Sequence, residues 1–235
     1  LSHNFLLWGN SDHEFFSTHS NIDSNKLVIT GSPRHDHLKT KKIKTAQKRV
    51  LIALTALSVR SGNLTTSLVE KYENLLRKII TCLQTYRDIE IIIKLHPGEN
   101  QHNQILLNFL KIFDNITIYQ TKSPHDLIVQ STFVVIITPE LYDSSTFMLD
   151  ALALKTPVLQ FILGQPNLRF DNKNDPITTL SEDNNVEEIF SKYLTDNEFL
   201  SNLIEHIPQK LQNYLSYHGK SCNTVSKIIH ERSFT

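Results

Sequence analysis

The sequence predicts a doubly wound, mostly parallel α/β sheet with helices on both faces. Short apolar runs alternate with longer amphipathic segments between residues 49 and 162, and the short runs are apolar nearly throughout. Strands of that kind are buried on both faces, and the helices between them supply the cover. The length of 235 residues is sufficient to enclose such a sheet.

The predicted strands and helices follow one another in a regular order. Two short strand candidates come first, at residues 6–8 and 27–30. The strands that follow are VLIALT, EIIIKL, ITIYQ, FVVIIT and PVLQFI, at residues 50–55, 90–95, 116–120, 133–138 and 157–162. Helices are predicted at about 67–86 and 103–113, over PHDLIVQ and from about Ser144, because apolar residues recur there three and four positions apart. PVLQFI is the last predicted strand. Beyond Asn185 the spacing is helical only, which predicts a helical C-terminal tail.

Composition excludes several classes of function. Lys plus Arg and Asp plus Glu number 24 each, so no basic excess indicates a nucleic-acid partner, and any anion site must be local. The longest apolar runs, such as 133–137, are far shorter than the roughly 20 residues of a membrane helix. We therefore expect a cytoplasmic protein without a transmembrane segment, and peripheral association with the inner membrane face stays open.

Polar residues follow three of the predicted strands. They are Ser58 and Arg60 after the first, Lys94 and His96 at the end of the second, and Asp143, Ser144 and Ser145 after the fourth. Ligands of an open parallel sheet bind outside the carboxyl ends of its strands, and a helix start there favours a phosphate. Each group alone also fits a plainer role, as a helix cap, a turn or a solvated cation. Together on one edge they predict a nucleotide phosphate site.

The glycine pattern limits how a phosphate would be held. The chain has only six glycines, with neither a GxGxxG after a strand nor a GxxxxGK[ST]. A dinucleotide site or a P-loop is therefore not expected. Hydroxyls, helix amides and basic side chains would bind the phosphate instead.

Four segments resemble the carboxy-terminal, Rossmann-like lobe of GT-B fold glycosyltransferases of surface-polymer synthesis. They are VITGSPRHD, IIIKLHP, YDSSTFMLDALALKTPVLQF and YHGKSCNTVSKIIHE, and the resemblance covers about residues 27–231. It is nearest to CDP-glycerol glycerophosphotransferases and to sialyl- and polysialyltransferases with His-Pro and Ser-Ser motifs.

The resemblance implies a donor linked to CMP, CDP or UDP, carrying a sugar or a polyol, in polysaccharide biosynthesis. His96, Ser144 and Ser145 would contact the donor phosphate, and Glu140 lies near the place of a ribose-binding carboxylate, at a different spacing. Asp150 belongs to a segment that supports the fold. Tyr142 is the residue we expect to stack on the base. The donor is a substrate, so no further cofactor is expected.

The resemblance also implies a division of this chain into two parts and the absence of an N-terminal lobe. Residues 1–38 would be an interlobe connection or a remnant of a preceding lobe, and residues 39–235 the nucleotide-binding domain. An N-terminal lobe that binds a glycan or polymer acceptor has no room before residue 27, so the isolated chain is expected to bind a donor without catalysing transfer. The chain begins with Leu1, which suggests a piece of something longer.

Two alternatives to this function stay open: a non-catalytic module of the same fold, and a UDP-N-acetylglucosamine 2-epimerase. The epimerases have Ser-Gly-Gly and paired glutamates where this chain has Ser144-Ser145-Thr146, which argues against the second.

No residue of the sequence is assigned as catalytic, and no metal site is expected. The run Arg34 to His37 contains metal-ligand types, but no further ligand falls at a diagnostic spacing, so a polar linker turn is favoured. The run Asp12 to Glu14 contains acid–base types and is expected on the surface, because no helix or strand is predicted around it.

Overall fold

The computed structural model describes residues 4–38, 43, 47–54, 66–97, 100–138, 146–163, 177–181 and 183–232. Its strands are β1 (Phe5–Leu7), β2 (Leu27–Ile29), β3 (Lys48–Leu54), β4 (Ile89–Lys94), β5 (Ile116–Tyr119), β6 (Phe133–Thr138), β7 (Val158–Ile162) and β8 (Ile177–Ser181). Its helices are α1 (Asn10–His19), α2 (Thr66–Gln84), α3 (Asn100–Leu110), α4 (Pro124–Ile128), α5 (Thr146–Ala153), α6 (Val186–Thr195), α7 (Asn197–Tyr214) and α8 (Ser221–Arg232).

The main sheet has six strands in the order β5-β4-β3-β6-β7-β8, and all five pairings are parallel. Counted along the chain within this sheet, the order is 3-2-1-4-5-6, that of a classic doubly wound fold. The predicted fold class is thus confirmed.

Alternate residues of the central strands β3, β4, β6 and β7 are buried in two separate cores. In β3, Val50, Ile52 and Leu54 pack on the side covered by α2, α3 and α6. Leu51 and Ala53 pack on the opposite side, which is covered by α4, α5 and α7. This two-sided burial is the reason why the strands are apolar at consecutive positions.

Strand β8 was missed, because PVLQFI was expected to close the sheet. Its sequence, ITTLS, contains polar residues at consecutive positions and does not form an apolar run. β8 lies at the edge of the sheet, paired only with β7 among the described strands. An edge strand needs less apolar surface than a central one, so its sequence pattern is weaker.

Residues before the main sheet form a small β-α-β unit. β1 and β2 pair in parallel as a separate two-stranded sheet, and α1 connects them. The expectation of a surface position for the run from Asp12 to Glu14 was wrong at its first residue. Asp12 is buried in α1 and accepts a hydrogen bond from the backbone N–H of Trp8 at 3.0 Å.

The helical C-terminal tail is present as α6, α7 and α8, and it joins the small unit to the main sheet. α6 packs on the face of the main sheet that α2 and α3 cover. α7 begins against that same face, through Phe199, Leu200 and Leu203, and ends against the opposite face, through Ile207 and Leu211; it also contacts α1. The backbone N–H of Ser216, just after α7, donates to the Trp8 carbonyl at 2.9 Å. The division at residue 38 stays a prediction.

Candidate functional site

The strand order creates one topological switch point in the main sheet, between β3 and β6. The chain leaves β3 toward β4 on one side, and later strands are added on the other side from β6 onward. Leu54 pairs with Ile137, so β3 and β6 end level with each other at the carboxyl edge. A crevice opens at such a point and is the usual ligand site of this fold class.

His96 lies at this carboxyl edge. The backbone of β4 remains paired up to Leu95, whose N–H donates to the Tyr119 carbonyl at 2.9 Å and whose side chain is buried. His96 follows directly and is exposed, as is Pro97. Because β4 neighbours β3, His96 stands one strand from the switch point. The phosphate contact itself stays a prediction.

Lys94 is buried, whereas its place among the predicted phosphate-binding residues led us to expect an accessible side chain. Its side chain is only 4% exposed, and its Nζ donates to the carbonyls of Leu95 and Gln120, each at 2.8 Å. Burial lowers the pKa of the ammonium. Lys94 therefore ties the end of β4 to the chain just after β5, and its expected contact with a phosphate stays a prediction.

The other predicted site residues lie outside the described residues: Ser58, Arg60, Glu140, Tyr142, Asp143, Ser144 and Ser145. The strands that precede them are described. Residues 55–65 follow β3 and residues 139–145 follow β6, so in the sequence both segments come directly after the strand ends at the switch point. β4 and β6 flank β3 at one strand spacing each, which puts the two strands about 10 Å apart.

Two buried polar side chains at this edge were not anticipated. Thr138 ends β6 and Gln160 lies within β7; both are buried, and Gln160 Nε2 donates to Thr138 Oγ1 at 2.9 Å. The Oε1 atom of Gln160 is buried and has no hydrogen-bond partner among the described residues. The signal was a single glutamine in the otherwise apolar strand PVLQFI. The pair fixes the end of β6, from which residues 139–145 depart.

Asp150 supports the fold, in agreement with the expectation for its segment. His35 is 0% exposed; its Nδ1 lies 2.7 Å from Ser32 Oγ, and its Nε2 lies 3.3 Å from Asp150 Oδ1. Asp150 Oδ2 lies 3.7 Å from His125 Nε2, at the start of α4. Asp150 therefore connects α5 to the segment that follows β2.

The linker turn is present as a 3-10 turn over Pro33–His35, but it is not simply solvated. Besides the buried His35, Asp36 accepts hydrogen bonds from three backbone N–H groups at the start of α8. These belong to Gly219, Ser221 and Cys222, at 2.9, 3.1 and 2.7 Å. The turn is thus a docking point for α8.

Within the described part of the chain, no group of three His, Cys, Asp or Glu side chains could hold a metal ion. Nor is any helix among those residues long and apolar enough to cross a membrane. The cellular location stays a prediction.

Solved structures with the same arrangement of strands and helices identify the type of doubly wound fold. The sequence matches no known protein family and no curated protein. Among solved structures, the GtfA/B complex is similar at a TM-score of 0.63 and 12% identity, over 97% of this chain and 45% of that chain. A glycosyltransferase from Rickettsia africae ESF-5 is similar at 0.60 and 14%, over 98% and 64%. The UDP-GlcNAc 2-epimerase from Neisseria meningitidis bound to UDP-GlcNAc is similar at 0.61 and 15%, over 95% and 60%.

The chain has the fold of one GT-B lobe. It spans between 45% and 64% of the three chains it was compared with. At identities of 12–15% the similarity establishes the fold only, so the activity has to be argued from the site residues.

Proposed function

We propose that this GT-B lobe binds the nucleotide-activated donor of a transferase that moves a sugar or polyol phosphate in surface-polymer synthesis. The observation that carries the proposal is the switch point between β3 and β6, with exposed His96 one strand away. The two segments that leave the sheet there contain the hydroxyls and the cation that a phosphate needs: Ser58, Arg60, Ser144 and Ser145.

In this proposal, His96 and the two serines hold the phosphate that becomes the leaving group. Negative charge develops on that phosphate as the bond to the sugar or polyol breaks, so donors aimed at it lower the barrier. Arg60 would add positive charge. Glu140 would bind the ribose, and Tyr142 would stack on the base.

Among the candidate nucleotides, UDP is favoured. The neighbour from Neisseria meningitidis holds UDP-GlcNAc, and it shares the fold over 95% of this chain. CMP- and CDP-linked donors, which the sialyltransferase-like and CDP-glycerol-like motifs favour, are the alternatives. Transfer to a glycan or polymer acceptor would require a second lobe, because this chain is about half the length of the GtfA/B chain.

Titration calorimetry with UDP, CDP and CMP tests the donor site. One of the three should bind one-to-one, and His96→Ala combined with Ser144→Ala should weaken it by at least about tenfold, the value of a single hydrogen bond to a charged group. His206→Ala, at an exposed histidine of α7, is the matched control and should leave binding unchanged. Absence of binding by all three nucleotides would favour a non-catalytic module, and equal binding by the double variant would exclude this site.

A sugar-nucleotide epimerase is the second candidate, because the Neisseria meningitidis epimerase matches this chain as well as the glycosyltransferase does, with TM-scores of 0.61 and 0.60. An epimerase converts UDP-GlcNAc without an acceptor. Incubating the chain with UDP-GlcNAc alone and analysing the sugar by NMR tests this second function: a new sugar signal indicates an epimerase.

A further inference from the structure

A cavity lies between helices α5 and α7 and the small N-terminal unit. Its volume is about 630 Å³, within the range of small-molecule sites. Its walls come from β2, the end of α5, α7 and the turn before α8. Most of the lining is apolar, with Ile29, Leu152, Ile207, Leu211 and Leu215 as its main side chains.

The two charged side chains that line this cavity are both basic, and a histidine and the phenol of Tyr217 are the other titratable groups in its lining. The charged pair is Lys155 and Lys220, the histidine is His218, and among the described lining residues there is no Asp or Glu. The whole chain has equal numbers of acidic and basic residues, so this bias is local to the cavity. Both lysines are exposed, which puts their ammonium groups toward the solvent side of an apolar space. Such a space is complementary to a ligand with an apolar body and an anionic head.

His218 adds a polar group for that ligand. Its Nε2 lies 3.1 Å from the Leu38 carbonyl and must donate, because a carbonyl oxygen only accepts. Its Nδ1 is buried and has no hydrogen-bond partner among the described residues. A buried ring nitrogen of this kind is normally satisfied. Because Nε2 donates, Nδ1 of the neutral ring accepts, so its partner would be a donor such as a hydroxyl group of the ligand and not the anionic head.

The cavity is separate from the proposed donor site. Leu152 and Lys155 lie at or just beyond the C-terminal end of α5, whereas Ser144 and Ser145 precede its N-terminal end. α5 returns the chain from the carboxyl end of β6 to the start of β7, so the two sites lie at opposite ends of this helix.

We propose that this cavity binds an amphipathic anion: an aliphatic chain that packs against the leucines and isoleucines, with a phosphate or carboxylate head between Lys155 and Lys220. The site is independent of the donor site, and its test uses no nucleotide turnover.

Calorimetry on the full chain with n-octyl phosphate, below its micelle-forming concentration, is the direct test. n-Octyl glucoside has the same apolar chain and no charge, and sodium octanoate carries a carboxylate instead of a phosphate. Inorganic phosphate alone shows whether the head group suffices. The charge variant is Lys155→Gln with Lys220→Gln, and the matched control is Lys111→Gln with Lys227→Gln, two exposed lysines that do not line the cavity.

We expect octyl phosphate to bind one-to-one and at least tenfold more tightly than octyl glucoside or inorganic phosphate. Substituting both Lys155 and Lys220 with Gln should raise the Kd for octyl phosphate about tenfold. The control substitutions at Lys111 and Lys227 should leave this Kd unchanged. Gln212→Trp, at an exposed lining position, should block binding, while Asn213→Trp beside it should not. Tighter binding of octanoate than of octyl phosphate would assign a carboxylate ligand, and weaker binding a phosphate.

Three results would overturn the proposal: no binding of either anionic amphiphile, equal binding of octyl glucoside, or an equal loss in the two lysine pairs. Folding of each variant is checked by its thermal midpoint. All the substituted residues are exposed, so a loss of binding with an unchanged midpoint reports on the site.

Discussion

Gly31 sits where the small N-terminal unit meets the turn before α8, and Gly31→Ala should be strongly destabilising. Its φ is +76°, and an added Cβ would lie 2.1 Å from the Ser216 carbonyl oxygen and 2.3 Å from Ser221 Oγ. The left-handed backbone costs a residue with a Cβ about 1–2 kcal/mol, and forcing atoms into a packed site costs about 1–3 kcal/mol more. We therefore expect a loss of roughly 2–5 kcal/mol in the free energy of unfolding.

Gly219→Ala separates the two contributions. Its φ is +81°, nearly the same, but nothing lies within 4 Å of an added Cβ. It should lose only the backbone part, about 1–2 kcal/mol. Urea denaturation of both variants with a common m-value measures the difference. Equal losses in the two variants would show that the Ser216 contact is not tight and would refute the docking described for this unit.

Three further predictions concern buried or capping groups. Burial raises the pKa of Tyr193 to about 12, so as the pH rises the phenol loses its proton in the unfolded state first. The free energy of unfolding, measured by urea melts, should therefore fall by about 2 kcal/mol between pH 10 and 12. Tyr193→Phe should lack this fall, and the control Tyr217→Phe, at an exposed tyrosine, should keep it. For Asp36, burial raises the pKa, but hydrogen bonds from the Cys222 and Ser221 amides outweigh it and lower the pKa overall. Asp36→Ala should therefore cost about 1 kcal/mol at pH 7 and progressively less as urea melts are taken below pH 3.8. Lys94→Met should cost about 1–3 kcal/mol in urea unfolding, because two carbonyls lose their donor, and a stabilised variant would show that burying the ammonium costs more than its hydrogen bonds contribute.

The main sheet was predictable because its central strands are buried on both faces. The run FVVIIT was predicted at residues 133–138, and β6 spans Phe133–Thr138. Helix α1 was missed because its sequence, NSDHEFFSTH, has few apolar residues at helical spacing and depends on packing against α7. Local pattern is informative where burial is two-sided and for the two short strands of the small unit, and it weakens at the sheet edge and in α1.

The candidate site could be predicted only in part. Topology puts His96 at the carboxyl edge, and the sequence pattern of strand, histidine and proline was sufficient for that. The burial of Lys94 depends on the position of the Gln120 carbonyl. Gln120 follows β5 and lies 26 residues further along the chain, so no local sequence pattern contains this contact. The same holds for His35 and Asp150, which lie 115 positions apart in the sequence and meet only in the folded chain.

Backbone amide chemical shifts on titration with UDP test the donor site most directly, with CDP and CMP as alternatives. Each strand supplies its own control, because its two ends lie on opposite edges of the sheet. We predict changes at the carboxyl ends, at Leu54, Leu95 and Thr138, and none at the amino ends, at Lys48 and Phe133. Changes at the amino ends, or no changes with any of the three nucleotides, would contradict a nucleotide phosphate site at the switch point.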